Sequence, residues 1–228
     1  MDNSTLVVAI DGPSGSGKST VARRVAQFLG LRYLDTGAMY RALTWWLLEH
    51  EVDLTDSDRV AHLAAELPLE MGTDPADPTV HVGGRDVGAA IRETRISESV
   101  SAVATNLGVR ADMRRRQRAV VDEGGVVVEG RDITTVIAPD APVRVLLTAS
   151  EDARLARRAR DVHGEVDEQA LARTRDQVLR RDADDSTVSQ FMEAADGVTV
   201  VDSSNLTLDE TVAAVLGLIK DLTGVEPT

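Results

Sequence analysis

The chain has 228 residues, a formal net charge of −13 and no cysteine. The acidic surplus excludes broad electrostatic binding to nucleic acid or to an anionic membrane, and the lack of cysteine excludes disulfides and thiolate chemistry. No apolar stretch approaches the ~20 residues of a membrane span, and the first residues lack the charged segment and apolar run of a leader. We therefore expect a cytoplasmic protein with small-molecule partners, and we take it to be a monomer.

The first predicted element is a strand at residues 6–10, which stops in a glycine-rich turn. The turn matches G-x-x-x-x-G-K-[ST], the pattern of a phosphate-binding P-loop, and a helix follows it. Glycines let backbone N–H groups converge on phosphate oxygens, Lys18 adds a mobile positive charge, and the Ser19 hydroxyl can bind Mg²⁺. A flexible glycine turn is the alternative. The candidate nucleotide-binding residues are Gly12, Pro13, Ser14, Gly15, Ser16, Gly17, Lys18, Ser19 and Thr20.

Gly30 predicts the end of the first helix, and residues 31–34 predict a short second strand. Asp35 and Thr36 follow at the carboxyl end of that strand, where ligands bind in open α/β sheets, and they lead into a helix through Leu47. The alternative interpretation of this pair is a helix N-cap, which does not exclude contact with a ligand.

The next segment predicts a helix that begins at a Thr55-Asp56-Ser57 cap, followed by a small β insertion at roughly residues 64–95. The strands of the insertion are predicted at residues 69–71 and 79–82. His81 alternates with apolar neighbours there, so we expect it on a solvated face.

Two helices follow the insertion. Residues 97–107 carry an apolar stripe at helical spacing, which predicts a helix packed on the core. The helix after it has Arg110, Arg114 and Arg118 on one face. Because stacked like charges repel, we expect the arginines from 114 to 118 to form a solvated face paired with nearby acids. Arg110 stands at the helix start and is the better candidate to bind a ligand.

Residues 126–128 are β-branched and bounded by glycines, which predicts a buried central strand. The strand ends in Glu129-Gly130-Arg131-Asp132, a group that is either part of a site at the edge of the sheet or a salt-bridged strand end. Further strands are predicted at residues 143–147 and 198–201.

An arginine-rich helical hairpin is predicted between these last two strands. It is capped at Ser150, turns at residues 163–167 and runs to about Arg180. The hairpin is a candidate lid, with a pair of solvated amphipathic helices as the alternative. A Thr207-x-x-Glu210 capping box starts the final helix. The alternation of strands and helices predicts an α/β fold with a five-stranded parallel sheet covered on both faces.

Four motifs occur together in one order: residues 12–20, residues 35–41, residues 129–132, and Arg181-Asp182 with Asp185-Ser186. The ordered set, over about residues 6–215, resembles the bacterial cytidylate kinases among the P-loop nucleoside monophosphate kinases. The resemblance implies in-line, Mg²⁺-assisted transfer of the γ-phosphoryl group of ATP to CMP or dCMP. It also implies a core of residues 1–63, 96–150 and 181–228, a monophosphate-binding insertion at 64–95 and a lid at 151–180.

The resemblance assigns roles to residues that match the motifs. The implied catalytic residues are Lys18, Arg131, Arg154, Arg157 and Arg158. The implied clamp on the phosphate of the acceptor is Arg41 with Arg131. The implied cytosine contacts are Thr36, Ser101, Arg110 and Asp132, and the implied ribose contacts are Arg181 and Asp185.

The chemistry of these residue types agrees with the implied roles. Phosphoryl transfer needs positioning and charge neutralisation, which planar arginines, Lys18 and Mg²⁺ supply. Asp132 can accept a hydrogen bond from the amino group of cytosine, and Arg110 can donate to its ring acceptors. Uracil has the wrong polarity at both edges, and polar groups left unpaired can discriminate by as much as ~10⁴.

The chain departs from the family pattern at one position. After Asp185-Ser186-Thr187 the family usually has an arginine that is counted among the acceptor-site residues, whereas this chain has Val188. The departure implies either that the affinity for the monophosphate is altered or that a neighbouring arginine takes over the role of the missing one.

Two alternative functions stay open, one for a kinase of the same architecture and one for another class of protein. A kinase of the same architecture could act on UMP, AMP or shikimate, and a regulator could bind ATP or GTP without phosphorylating a metabolite. GTPases read guanine with an Asn-Lys-x-Asp element, which this chain lacks because its only lysines are Lys18 and Lys220.

Overall fold

A computed structural model of the chain describes residues 3–163 and 167–226. The strands in these residues are β1 (Val7–Asp11), β2 (Arg32–Asp35), β3 (Leu69–Met71), β4 (Val80–Val82), β5 (Arg85–Asp86), β6 (Val126–Gly130), β7 (Val143–Thr148) and β8 (Thr199–Asp202). They form a five-stranded parallel sheet of order β2-β6-β1-β7-β8 and a three-stranded antiparallel sheet of order β3-β4-β5. The predicted α/β class and the five-stranded parallel sheet are confirmed.

Helices cover both faces of the large sheet because its central strands are apolar on both sides. On one face α1 and α8 pack on residues such as Val8, Ile10 and Val145, and on the other face α2 to α5 pack on residues such as Ala9 and Val128. The helices are α1 (Lys18–Leu29), α2 (Thr36–Glu49), α3 (Ser57–Glu66), α4 (Thr94–Ala104), α5 (Leu107–Asp122), α6 (Glu151–His163), α7 (Glu168–Ser186) and α8 (Leu208–Thr223). Within residues 3–163 and 167–226, no helix has the length and apolar content needed to span a bilayer.

The predicted helix ends are confirmed where a local capping signal exists. Gly30 ends α1 in the left-handed region at φ 63°, and the Asp35 side chain caps α2 by accepting from the backbone N–H of Ala38. Thr207 and Glu210 form the predicted capping box of α8.

The small antiparallel sheet confirms the predicted β insertion, with boundaries that differ from the prediction. Residue 64 still lies in α3 and residue 95 already lies in α4, so the sheet is inserted between two helices. His81 is half buried on β4. The predicted helix at residues 97–107 lies three residues too far along the chain, because Asn106 caps the next helix, α5, and leaves Leu107 74% exposed outside the core.

The arginine-rich hairpin consists of α6 and α7. Residues 164–166 of its predicted loop lie outside the described residues. The predicted end of the second helix at Arg180 is wrong: α7 continues to Ser186 because ion pairs of Asp182 and Asp185 hold its last turns against the core. The predicted boundary between lid and core therefore falls inside a continuous helix.

Candidate active site

A cleft opens at the carboxyl ends of β1, β2 and β6, between the P-loop, α2, α4 and α7. This is the edge of a parallel sheet at which ligands bind. The predicted site residues that line it are Ser14, Gly15, Gly17, Lys18, Ser19, Thr20, Thr36, Arg41, Arg110, Arg131, Asp132, Arg158, Arg181 and Asp185. Predicted site residues that do not line it are Gly12, Pro13, Ser16, Ser101, Arg154 and Arg157.

The P-loop has the backbone geometry of an anion cradle. Gly15 has φ +77°, and a Cβ there would lie 2.5 Å from the carbonyl oxygen of Arg154. Gly17 precedes α1 in the left-handed region at φ 88°, a conformation that glycine adopts without strain, and the loop leads directly into the N-terminus of that helix. A side chain at either position would be strained, and at Gly15 it would also displace the helix behind the loop.

Lys18 lies under this loop, where its Nζ donates to the carbonyl oxygen of Pro13 at 3.4 Å. Burial lowers the pKa of Lys18, the charge of Arg131 lowers it further, and the charge of Glu129 opposes the shift. The ammonium group is therefore held in a poorly solvated position, where an anion would stabilise it.

Three oxygen-bearing side chains meet beside the lysine. Ser19 Oγ donates to Glu129 Oε1 at 2.6 Å, and Glu129 and Asp35 are register partners at the ends of β6 and β2. Burial raises the pKa of Glu129, and the charge of Asp35 raises it further. Hydroxyl and carboxylate oxygens are the hard ligands that Mg²⁺ prefers. Residues 3–163 and 167–226 contain no group of three histidines, cysteines or acids able to hold a metal alone.

Arg131 is the junction between the P-loop and α7. Its Nη1 donates to Gly12 O at 3.2 Å and pairs with Asp182 at 3.0 Å, and its Nη2 pairs with Asp185 at 3.2 Å. The guanidinium lies 4.1 Å from the ring centroid of Phe191, which is fully buried. These contacts fix a positive charge at the side of the P-loop.

Two arginines of α6 hold the P-loop from behind. Arg154 donates to Ser14 O at 2.9 Å and pairs with Asp182, while Arg157 donates to Ser16 O at 3.1 Å and to Ser203. Both guanidinium groups donate to backbone carbonyls of the loop, and neither lines the cleft. Arg158, on the same helix, lines the cleft.

A buried ion pair marks the far end of the cleft. Arg110 Nη2 donates to Asp132 Oδ2 at 2.6 Å and to Ser189 Oγ at 2.7 Å, and its Nη1 donates to Ala104 O at 3.1 Å. Arg110 is 4% exposed, and among the described residues its buried Nε has no hydrogen-bond partner. Arg114 also reaches Asp132, at 3.4 Å, so it is not confined to the predicted solvated face.

The remaining predicted contacts lie between these two ends. Arg41 pairs with Asp35 at 2.9 Å; burial alone raises the pKa of Asp35, but Arg41 and the N–H of Ala38 outweigh it and lower the pKa overall. Burial and, after it, the charge of Arg131 lower the pKa of Arg181 to about 10. Thr36 Oγ1 donates to the carbonyl of Glu129 at 2.7 Å.

Ser101 is the one predicted acceptor contact that does not line the cleft. It is half buried on α4, and its neighbours on the cleft side of that helix are Val100 and Ala104. The structure thus brings Lys18 of the P-loop together with the arginines and acids of the three other motifs, and Ser101 stays outside the lining of the cleft.

Several residues in or next to the site were given no role in the sequence analysis, among them Asp182, Ser189 and Asp11. Asp182 stood in a quoted motif without a role, although it accepts from Ser14 N at 3.1 Å. Ser189 gave no signal in the sequence. Asp11, at the end of β1, accepts from the N–H groups of Ile133 and Thr134 at 2.9 and 2.8 Å and so fixes the π-helical turn that follows Asp132. Its position after a strand in front of the P-loop was the only available signal.

Comparison with known proteins gives one consistent result. The cytidylate kinase family model matches residues 8–221. A cytidylate kinase of Cutibacterium acnes is 49% identical over 221 residues, covering 96% of this chain and 98% of that protein. A cytidylate kinase of Rhodococcus opacus is 45% identical over 228 residues, covering 99% of each. A crystal structure of an uncharacterized protein from Eubacterium ventriosum matches with a TM-score of 0.51 at 13% identity, covering 95% of this chain and 99% of that one, which is a likeness of fold alone.

Proposed function

The chain belongs to the cytidylate kinase family, and from that premise we propose that it transfers the γ-phosphoryl group of ATP to CMP or dCMP, giving ADP and CDP or dCDP. The observation that carries the proposal is that a single cleft joins the P-loop to the buried Arg110–Asp132 pair. One end of that cleft suits the phosphates of ATP. The other end suits a base whose edge carries both hydrogen-bond acceptors and a hydrogen-bond donor.

The donor end is formed by the P-loop. The N–H groups of the loop and of the start of α1 would receive the phosphates of ATP, and Lys18 would neutralise their charge. Mg²⁺ would be held by Ser19, near Glu129 and Asp35, together with the phosphates themselves, as is usual for this ion. When bound, Mg²⁺ neutralises charge on the phosphoryl oxygens.

The acceptor phosphate would bind at Arg131 and Arg41. Arg131 is held by the carboxylates of Asp182 and Asp185, and Arg41 is held by that of Asp35. Both guanidinium groups are therefore oriented before the acceptor arrives. In the reaction, an oxygen of the acceptor phosphate bonds to the γ-phosphorus while the bond from that phosphorus to the β–γ bridging oxygen breaks. Little deprotonation is needed because the attacking oxygen is already anionic.

The arginines of α6 divide into two proposed roles. Arg158 lines the cleft and would contact the phosphoryl group in transfer, where positive charge lowers the barrier. Arg154 and Arg157 bond to carbonyl oxygens of the P-loop and would support its shape. The proposed lid therefore acts both on the transferred group and on the loop that holds the donor.

Recognition of the acceptor nucleoside is proposed for the other side of the cleft. Asp132 would accept from the amino group of cytosine and Arg110 would donate to its ring acceptors, while Arg181 and Asp185 would contact the ribose. Thr36 lines the cleft and would act there, whereas a contact from Ser101 requires a movement of α4 toward the acceptor.

Further proposals follow from the same interpretation of the chain. We propose that the small antiparallel sheet, within the predicted insertion of residues 64–95, takes part in binding the monophosphate. We also propose that the lid predicted at residues 151–180 consists of α6 and the part of α7 before Arg181. We also propose that the protein is a monomer, which light scattering would test, and that it is cytoplasmic, which cell fractionation would test.

The proposed function is tested by coupled measurement of ADP release with MgATP and a panel of acceptors: CMP, dCMP, UMP, AMP and shikimate. We expect the highest kcat/KM with CMP or dCMP, and silence with both would overturn the proposal. Lys18→Met should lower kcat by about 10²–10³-fold, because it removes a charge that stabilises the transferring group. The only other lysine, Lys220, is exposed and paired with Glu226, so Lys220→Met is the matched control and should leave kcat unchanged.

A further inference from the structure

We propose that Ser189 takes part in recognition of the pyrimidine base in two ways: it positions Arg110, and it presents its own hydroxyl hydrogen to the acceptor edge of the base. The inference rests on the proposed function and deepens it, because it names a residue that decides how the base end of the cleft is built. Ser189 belongs to the segment that follows α7, which carries no residue assigned to the base above.

The position of Ser189 is the first reason for the proposal. Its side chain lines the cleft and is 8% exposed, whereas the neighbouring Val188 is half buried and does not line it. Val188 could in any case offer only an apolar side chain. The hydroxyl of Ser189 is thus the polar group that this part of the segment contributes to the cleft.

Its contacts are the second reason. Ser189 Oγ accepts from Arg110 Nη2 at 2.7 Å, and the same nitrogen donates to Asp132 Oδ2 at 2.6 Å. A hydroxyl that accepts from a guanidinium must turn its hydrogen away from that nitrogen, so the hydrogen is available to an acceptor on a ligand. Two acceptors therefore fix the Nη2 edge of Arg110 from opposite elements of the fold.

The polar groups left over form a pattern that suits cytosine. Arg110 Nε is buried without a partner among the described residues, which is costly unless a ligand satisfies it. Arg110 lines the cleft and would donate to the base, the hydrogen of Ser189 would be a second donor beside it, and Asp132 would supply a carboxylate acceptor. Cytosine has two acceptors, the C2 carbonyl and N3, beside one donor, the amino group, so the two sets are complementary.

The segment is also held firmly enough to position a side chain. Phe191 is fully buried with the Arg131 guanidinium 4.1 Å from its ring centroid, and the N–H of Val188 donates to Asp185 O at 3.3 Å. These contacts restrain the chain on both sides of Ser189. A residue between two such restraints loses little further entropy when it orients Arg110.

The proposal is tested with Ser189→Ala, Ser189→Thr and, as matched control, Gln190→Ala, whose side chain is exposed on the same segment. Steady-state kinetics would give kcat and KM for CMP, dCMP and ATP, and inhibition by cytidine would report the base without a phosphate. We expect Ser189→Ala to raise the KM for CMP and dCMP and the inhibition constant of cytidine by about fivefold to tenfold, as for loss of one hydrogen bond. The kcat and the KM for ATP should stay within about twofold, since no group at the phosphates changes.

The variants separate this role from a structural one. Ser189→Thr keeps the hydroxyl and should restore the KM for CMP, and Gln190→Ala should match the wild type. Equal losses in the alanine and threonine variants, or a KM for CMP unchanged in the alanine variant, would overturn the proposal while the wild type stays active. A wild type silent with both CMP and dCMP would instead overturn the proposed function.

Discussion

Replacing Asp182 by asparagine should weaken both the fold and the catalytic arrangement, because this carboxylate connects three parts of the site. It pairs with Arg131 at 3.0 Å and with Arg154, and it accepts from the N–H of Ser14 at 3.1 Å. Its side chain is 7% exposed. Asparagine has nearly the same shape and keeps an oxygen for Ser14, so the substitution removes mainly the charge between two guanidinium groups.

The size of the effect follows from the partners that remain. Breaking a buried ion pair costs about 3–5 kcal/mol when the other partner is left alone. Here Arg131 keeps Asp185 and Gly12 O, and Arg154 keeps Ser14 O, so we expect a smaller loss of about 2–3 kcal/mol in the free energy of unfolding. For a chain of this length that is a fall in Tm of roughly 4–12 °C.

Activity should fall as well, because Arg131 and the P-loop would no longer share one fixed partner. We expect kcat with MgATP and CMP to fall by about tenfold to a hundredfold, as for a displacement of groups around a transferring phosphoryl. Urea or thermal unfolding and the coupled ADP assay measure the two effects. The matched control is Asp184→Asn, which removes the same charge from the exposed side of α7. Equal Tm and kcat values for the two variants would refute the reasoning.

Three other predictions concern single side chains. Asp132→Ala should lower the ratio of kcat/KM for CMP over UMP by roughly 10²-fold, since it removes the acceptor for the amino group; an unchanged ratio would contradict the assignment. Val188→Arg should lower the KM for CMP severalfold by adding the arginine that the family pattern has at this position, and an unchanged KM and kcat would deny the position a role. Burial raises the pKa of Asp11 from 3.8 to about 6, so between these pH values the folded protein keeps a proton that the unfolded chain has lost. The free energy of unfolding should therefore fall by about 2 kcal/mol from about pH 4 to about pH 6. Urea unfolding at both pH values should show that this fall is absent in Asp11→Asn, and equal slopes in the two proteins would disprove it.

The parts of the fold that sequence predicts are those with a local cause. The P-loop needs glycines at fixed spacing, and the Thr207–Glu210 capping box and the Gly30 stop depend on neighbours within a few residues. The end of α7 has no such cause. Residues 182–186 are acids, an alanine and a serine, a composition that favours turns. Ion pairs with the distant Arg131 and Arg154 help to keep them helical.

The contacts that build the site are long-range and leave no local pattern. Ser14 meets a carboxylate 168 residues away, and Arg110 meets Ser189 79 residues away. Composition marked α6 as rich in arginine, but the face that each arginine takes depends on how the helix packs. Arg154 and Arg157 turned to the back of the P-loop, and only Arg158 of the three faces the cleft.

The pairing of these arginines explains how an acidic protein can hold a phosphate site without attracting polyanions in general. Arginines of the cleft and of the loop behind it are held by carboxylates in the pairs Arg41–Asp35, Arg110–Asp132, Arg131–Asp182, Arg131–Asp185, Arg154–Asp182 and Arg181–Asp185. A guanidinium has five N–H donors in a planar fork, so it can keep a carboxylate on one edge and offer another edge to a phosphate. An ammonium group has no such second edge. A lysine therefore suits position 18, where a point charge inside the loop is needed. Arginine suits the positions whose side chain must be oriented by an acid and must still bind an anion.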